Sequence, residues 1–470
     1  MFKMFKMRRS LYLFSLIGLC LVLLLAACGS QPGTTTSSTR SGSQSAHPTM
    51  TTSPVIPTGK PGPVTSVVTT VPMPPTQTSC PAPGAGRAAV MRPLALGNHA
   101  NIAYLFNESD LRGTPTFGEL KRYDVVTGSK TVIVRLDHSQ IAEAQVSGDG
   151  QWLLFVTEAP GTAELQMVRM DGQGLQTLYC APPSSIRATQ WSPDHSLIVF
   201  SYGAYSVQSR IYLFTMASGV VQLELSSSNA NISYVARTWP DNTRVYLTAV
   251  VLNSPDPLKS LYILDTKKGG NQHNGDLLQV LKPSQPQYCW DFDSDYATTK
   301  LATSQCSVTF SPASGRGVQR GPSTITTQPV NGGSQHTIYS SARYAVNQVR
   351  FQGYSSTSLL LTIDNQNFGA NVAVDSSQNG LWRMNTDGSG LVRLSSDGAN
   401  SESSFNRFSQ YPWSNVSRGG SMYVIQVSDV ASKSPVTRLY VGSLSGGSPM
   451  SFAFANINEG TVEVAGWTAM

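Results

Sequence analysis

VSGDGQWLLFVTEAPGTAELQMVRMDGQGLQTLYC (146–180) and WSPDHSLIVFSYGAYSVQSRIYLFTMASGVVQLELS (191–226) share one grammar. Each runs as a strand end, a tight polar turn, an apolar strand, a polar link, an alternating strand, a Gly turn and a last strand. The turns SGDG and SPDH hold the residue types that turns require: Pro presets φ, Asp bonds its own backbone and Gly accepts positive φ. MDGQG and MASGV then stand between alternating runs, which is a hairpin pattern. Trp191, Asp194 and His195 crowd together in a way an active site could use. Their counterparts in SGDG and WPDN, however, put glycine or asparagine where His195 stands. A turn residue is wanted there, not an imidazole.

The grammar repeats along the chain. TWPDNTRVYLTAVV (238–251) leads to SLYILDTKKGG (260–270) and a final strand through Leu281. WDFDSDYATTKLATSQC (290–306) leads to STITTQPVNGGSQHTIYS (323–340), and VRFQGYSSTSLLLTID (349–364) to GLWRMNTDGSGLVRLS (380–395). YPWSNVSRGGSMYVIQV (411–427) leads to RLYVGSLSGGSPMSFAF (438–454), and in TVEVAGWTAM (461–470) Trp467 stands in the place of Trp191. Upstream, NIAYLFNE (101–108) and ELKRYDVVTGSKTVIVRL (119–136) form a first unit. No stretch has the period of a long amphipathic helix. Seven units of four short antiparallel strands predict an all-β fold, a β-propeller of seven blades, with six or eight as alternatives. One twisted sheet cannot bury both its faces, whereas a ring of them packs face to face and leaves only short edges. Either TVEVAGWTAM (461–470) or AAVMRPL (88–94) can supply the first strand of the first blade. Trp191, Trp239, Trp290, Trp413 and Trp467 are expected at the ends of first strands, as packing residues between blades.

The motif xxWSPDGxxIxFxS…IYxxxxxxGxxxxL resembles the repeat of TolB-like propellers, relatives of the WD-type repeat. It is clearest at 145–178 and 190–225, partial at 238–266 and 380–394, and covers about half of the domain. The resemblance implies the fold. It does not imply TolB's role in an envelope complex, because the tether and the blade count depart from TolB.

The N-terminus indicates where the propeller works. MFKMFKMRRS carries Lys3, Lys6, Arg8 and Arg9 and no acid, and Leu11 to Leu25 is an apolar run of signal-peptide length. Leu25-Ala26-Ala27-Cys28-Gly29 resembles the lipobox of bacterial lipoproteins. That resemblance implies cleavage of residues 1–27 and acylation of Cys28, each acyl chain contributing roughly 0.8 kcal/mol per buried CH₂. Residues 28–79, rich in Ser, Thr and Pro, contain no acid and no Phe, Tyr or Trp. They cannot bury enough apolar surface to offset their ordering entropy, so they read as a disordered tether. Fully extended as polyproline II at about 3.1 Å per residue, it reaches roughly 150 Å. The propeller domain is then 80–470, displayed outside the cytoplasm on a lipid bilayer.

Of the 33 Lys and Arg, four lie in the signal and two in the tether, so the rest balance the 27 Asp and Glu. With no basic run, nucleic acid is not an expected partner. Cys80, Cys180, Cys289 and Cys306 remain once Cys20 leaves and Cys28 is acylated, an even set without CxxC spacing. Cys289 and Cys306 flank one predicted turn and are placed to bridge across a strand pair, which leaves Cys80 for Cys180.

Catalytic and metal motifs are weak. Asp291, Asp293 and Asp295 begin like a calcium loop, but Tyr296 and Ala302 stand where that loop needs Gly and Glu. A turn of acids between strands explains them. Tyr123 to Lys130 resembles the D-x-x-TG turn of quinoprotein propellers but occurs once, as a plain hairpin. Gly84-Ala85-Gly86 lacks the strand and helix that a dinucleotide loop requires. There is no G-x-S-x-G and no H-E-x-x-H, the histidines are scattered, and no cofactor is expected. The links at 157–163, 202–209, 251–259, 307–322 and 365–379 are the places for function, since loops on rigid scaffolds carry binding. The last three are expected to form one recognition rim. The expected function is a protein- or ligand-binding scaffold. The alternative is an extracellular hydrolase or lyase with its site at the channel mouth.

Overall fold

In the computed structural model, each repeat closes into an antiparallel sheet of four strands, A to D from the axis outward. The structure describes residues 79–468, apart from 83–92, 96, 98, 111, 204–208, 228–230, 252–258, 283–287, 312–315, 369–372, 399–400, 407–408 and 430–434. Blade two is built from Gln140–Val146, Trp152–Ala159, Thr162–Arg169 and Gln176–Ala181, and blade three from Ile186–Trp191, Leu197–Tyr202, Arg210–Thr215 and Val221–Ser226. Blade four follows with Ile232–Ala236, Arg244–Val251, Lys259–Asp265 and Leu278–Leu281. Blade five has Tyr288–Ser294, Lys300–Ser311, Arg316–Pro329 and His336–Ser341. Blade six has Val346–Phe351, Ser358–Ile363, Gly380–Asn385 and Val392–Arg393, and blade seven Ser401–Ser404, Met422–Asp429, Val436–Ser443 and Met450–Asn456.

Blade one joins both ends of the domain. Gly460–Thr468 is its inner strand, paired with Asn101–Ser109, which is followed by Pro115–Asp124 and Lys130–Asp137. The C-terminal strand therefore locks the ring, with Trp467 fully buried opposite Ile102. Of the other candidate for this place, 88–92 lie outside the described residues.

Strand B of blades two, three and six is sandwiched between sheets, so its sequence is a continuous apolar run and not an alternating one, whereas that of blade five, KLATSQCSVTFS, is largely polar. Leu153, Leu154, Phe155 and Val156 have no exposed surface, nor do Ile198, Val199 and Phe200. Outer strands face solvent on one side and alternate, as in Lys130–Asp137. The C–D turn glycines have a second duty, because the turn of one blade rests on the outer strand of the blade before it. A Cβ on Gly172 would lie 2.5 Å from the Ile133 carbonyl oxygen, and one on Gly388 would lie 2.2 Å from that of Ile338. Both glycines also take positive φ.

The A–B turns repeat one hydrogen-bond pattern. Asp149 accepts from the amide of Gln151, and Asp194 from that of Ser196, while the Ser147 and Ser192 hydroxyls cap Trp152 and Leu197. His195 sits at φ 60° where blade two has Gly150 at φ 75°, so it is the positive-φ turn residue the sequence demanded. It also does more than a glycine can. Its Nε2 accepts the Gly148 amide proton at 2.8 Å, tying the turns of blades two and three, and burial pushes its pKa down. Trp191, Trp239 and Trp467 are buried at the ends of the inner strands or just beyond them, whereas Trp290, expected at a strand end, is buried inside the strand Tyr288–Ser294.

The reading of unit seven needs correction. Its inner strand is Ser401–Ser404, and Tyr411 to Asn415 is not a strand: Pro412–Asn415 is a single helical turn. The four polar residues SESS carry no apolar alternation, and Trp413 drew the register ten residues too far along.

Candidate functional site

The A–B and C–D turns emerge on one face of the ring, called lower here, and the B–C and D–A links on the other. The lower end of the channel is filled. From blade seven, residues 405–406 and 409–418 lie across the axis and bond to the inner strands of four other blades. Asn406 donates to the Val464 carbonyl of blade one at 2.7 Å, Trp413 to Val146 of blade two at 2.8 Å, and Gln410 to Phe292 of blade five at 2.5 Å. The Tyr411 hydroxyl donates to the Trp191 carbonyl of blade three, and its ring stacks on Trp413 with centroids 4.7 Å apart. Arg418 reaches the carbonyls of Ser147, Gly148 and Trp467. Tyr411, Trp413 and Ser414 are all buried.

Inner-strand acids are committed to ring closure. Glu143 accepts the amides of Ala188 and Thr189 at 2.9 and 2.8 Å. Asp291 accepts Val349 at 3.1 Å and pairs with the buried Arg350, and Asp293 accepts Phe351 at 2.7 Å. Asp295 caps the turn that follows through Thr299 and Lys300. The calcium-like triplet is therefore split between a blade junction and a turn. Burial raises the pKa of Glu143 and takes Asp293 to about 8. Among the described residues, one group of His, Cys, Asp or Glu has metal-like spacing: Cys80, Glu164 and Cys180. Its two sulfurs are bonded to each other.

Both disulfides form, Cys80 to Cys180 and Cys289 to Cys306, with Cα atoms 5.8 and 5.2 Å apart. The first ties the start of the domain to the outer strand of blade two, and the second bridges the first strand pair of blade five. Cys28 lies outside the described residues. No described helix is long and apolar enough to cross a membrane.

The upper face carries the long insertions. The link at 157–163 is a tight hairpin, and most of 202–209 and 251–259 lies outside the described residues. The other two meet. The B and C strands of blade five, 12 and 14 residues long, run on as a projecting hairpin. Gln366–Phe368 from blade six adds to its edge, with Val318 opposite Asn367. Two features hold the junction. Asn365 and Asn379 exchange side-chain and backbone bonds at 2.8 and 3.0 Å, and the Gln319 amide donates to Asp364. Gly321 lies flat on the link before blade six, where a Cβ would come within 2.6 Å of Ala342. Beneath this junction lie the buried Asp364 and the half-buried Glu402, and burial and the Glu402 charge raise the pKa of Asp364 well above its usual value.

Between these insertions is a groove of about 300 Å³ lined by Arg320, Arg343, Asn365 and Asp375. Arg343 pairs with Asp375 at 2.9 Å, and the Tyr344 hydroxyl joins them at 3.3 Å. Bonds from Ser377 hold the Asp375 pKa down. Arg320 is exposed and has no side-chain partner among the described residues. The groove can therefore present a planar cation to an anionic group. Sequence reasoning placed the rim segments but not Arg320, Arg343 and Asp375, whose meeting depends on how two blades dock. It also missed the plug, whose trace was the 17 residues between the first and second strands of blade seven, far more than in blade two.

No protein-family model and no curated protein matches the chain. Solved structures do resemble it. TolB from Acinetobacter baumannii aligns at 14% identity over 62% of this chain and 63% of its own, with a TM-score of 0.39. A putative TolB from Agrobacterium tumefaciens aligns at 15% identity over 74% of this chain and 99% of its own, also at 0.39. A structure from work on two prolyl endopeptidases aligns at 11% identity and TM-score 0.51, over 80% of this chain and 50% of its own. This chain thus spans less than two thirds of the first structure and half of the third. At these identities the likeness is one of architecture: the chain is a seven-bladed β-propeller, closed by its C-terminal strand, with a repeat that resembles that of TolB-like propellers.

Proposed function

We propose that the protein is a lipoprotein, held to the membrane by acylated Cys28, that binds an envelope protein or an extracellular ligand through the upper face of its propeller. The observation that carries this reading is the asymmetry of the ring. One end is filled by residues 405–406 and 409–418, and the other carries paired insertions from blades five and six around a groove in which Arg320 has no partner among the described residues. An arginine fork favours a carboxylate-bearing segment of the partner. The anchoring half of the reading rests on the lipobox-like sequence around Cys28.

The test uses the full chain in its own membranes. Cys28→Ser is expected to abolish metabolic labelling with palmitate and to release the domain. Separately, deletion of 309–320 together with 368–378 is expected to abolish capture of the partner cross-linked to the intact chain. Retained capture by the deletion variant, with its melting transition intact, would sink the binding reading and leave the anchoring reading standing.

A further inference from the structure

A second cavity lies at the other end of the molecule, on the lower face of blade one, and owes nothing to the rim. Its residues are placed by strand register. Asn101 stands opposite Asp124, and Arg122 opposite Thr131, so the four side chains share one face of the sheet. Tyr123, between the two, points the other way and stacks on Phe452 of blade seven at 4.6 Å. Just before the first strand, His99 lies against the free face, and further upstream the Leu94 amide donates to Gln151 of blade two at 2.7 Å. The resulting space, about 320 Å³, is lined by Arg122, His99, Asp124, Asn101, Ser129 and Thr131.

The chemistry of this lining is one-sided. Asp124 is the sole acid in it, and its oxygens are occupied: one takes the amides of Val126 and Thr127 at 2.8 and 3.1 Å, and the other holds His99 Nδ1 at 2.9 Å. The His99 contact, first among the causes, lowers the Asp124 pKa to about 2. With Nδ1 given to Asp124, Nε2 is the ring nitrogen left for a ligand, and the carboxylate fixes the plane of the ring. Arg122 is half-buried and makes no ion pair or side-chain hydrogen bond to a described residue. A half-buried guanidinium without an anion is the less stable arrangement, because partial desolvation is not offset by a partner. The hydroxyls of Ser129 and Thr131 add two donors that turn to suit an acceptor.

We propose that this cavity binds a phosphate group, with Arg122 as the fork, the Ser129 and Thr131 hydroxyls as further donors, His99 Nε2 donating when the ring is in its imidazolium form, and Asp124 as the positioning residue. A tetrahedral oxyanion with three or four acceptor oxygens uses all of these donors, whereas a neutral sugar or a cation uses few of them. The phosphate comes either from a monoester or from a phosphodiester, and the probes distinguish the two.

The experiment is calorimetric titration of the full-length chain in detergent with inorganic phosphate, and in parallel with the diester glycerophosphoglycerol. Saturable binding of either probe is expected, weakened at least tenfold in Arg122→Ala and less in Arg122→Lys, which keeps the charge but loses the fork. Asp124→Asn is expected to weaken binding by misorienting His99, and His99→Gln to restore part of it in that background. Binding of phosphate alone assigns a monoester, and binding of the diester assigns a phosphodiester. Failure of both probes to bind the wild type, or equal binding by wild type and by a folded Arg122→Ala judged by its melting transition, overturns the site. Arg320 on the opposite face is the control: Arg320→Ala leaves these titrations unchanged.

Discussion

The two faces of the ring are built from the same seven repeats and spend their polar residues in opposite ways. On the lower face, side chains from residues 405–406 and 409–418 reach into neighbouring blades, and almost every donor ends on a backbone carbonyl: Trp413 on Val146, Gln410 on Phe292, Arg418 on Ser147 and Gly148. On the upper face of blades five and six, the same kinds of residues bond within the insertions and leave Arg320 facing out. Bonds to a neighbouring blade's backbone stabilise closure. A cation left without a partner on a fixed frame is available to something else. The difference teaches that in this propeller the lower end of the channel is spent on stability, whereas the upper rim keeps an exposed cation available.

That comparison can be broken first at the plug. Trp413→Ala removes a buried indole and its hydrogen bond from the centre of the lower face, and about 3–5 kcal/mol of stability is expected to go with it. Urea denaturation measures the loss. A loss near zero would mean that the lower end is not sealed in this way. Acid–base behaviour tests the same interior. Glu143, Glu224, Asp293, Asp364, Asp397 and Glu402 all have folded pKa values raised chiefly by burial, with Glu224 at about 7 and Asp293 at about 8. Each keeps its proton longer in the folded chain than in the unfolded one, so unfolding releases protons. The melting temperature is therefore expected to fall as pH rises from about 5 to 8. His195, with its lowered pKa, acts in the opposite sense below about pH 6.5, as one group against six. A melting temperature that rises steadily to pH 8 would contradict the buried, protonated acids.

Smaller changes sharpen the comparison on the upper side. Gly321→Ala puts a methyl group against the Ala342 backbone and is expected to cost about 1–3 kcal/mol. It is also expected to expose the blade-five hairpin to protease, which limited proteolysis reads directly. His195→Gly keeps the positive φ and loses the bond to Gly148, for about 1 kcal/mol. Arg320→Ala is expected to change stability by no more than about 0.5 kcal/mol, since the side chain is exposed and unpartnered. On this account its effect is on binding alone.

Much of this was legible in the sequence because it is local. WSPDHS and SGDG announce their turns through Pro, Asp and Gly, and strand B announces its double burial through runs such as LIVF. The cysteine spacing around one predicted turn was enough to place Cys289 against Cys306. What was not legible depends on contacts distant in sequence. Tyr411 meets Trp191 across 220 residues, and the repeat that marks Trp191 says nothing of Tyr411 as its partner. The same holds for Arg343 with Asp375 and for His99 with Asp124, where a loop supplies one member and a strand end or a second loop the other. Asp291 and Asp293, read in the sequence as part of an acidic turn, lie instead in the strand Tyr288–Ser294 and accept amides of the next blade, while Asp295 alone belongs to the turn.

The central claim is that the protein partner is captured at the upper rim of blades five and six. Photo-cross-linking in intact cells tests it most directly, with a photoreactive phenylalanine analogue placed either at Arg320 or at Lys267, an exposed residue in a lower-face turn. The account predicts a discrete, competable adduct from position 320 and none from position 267. The same adduct from position 267, with none from position 320, would contradict it.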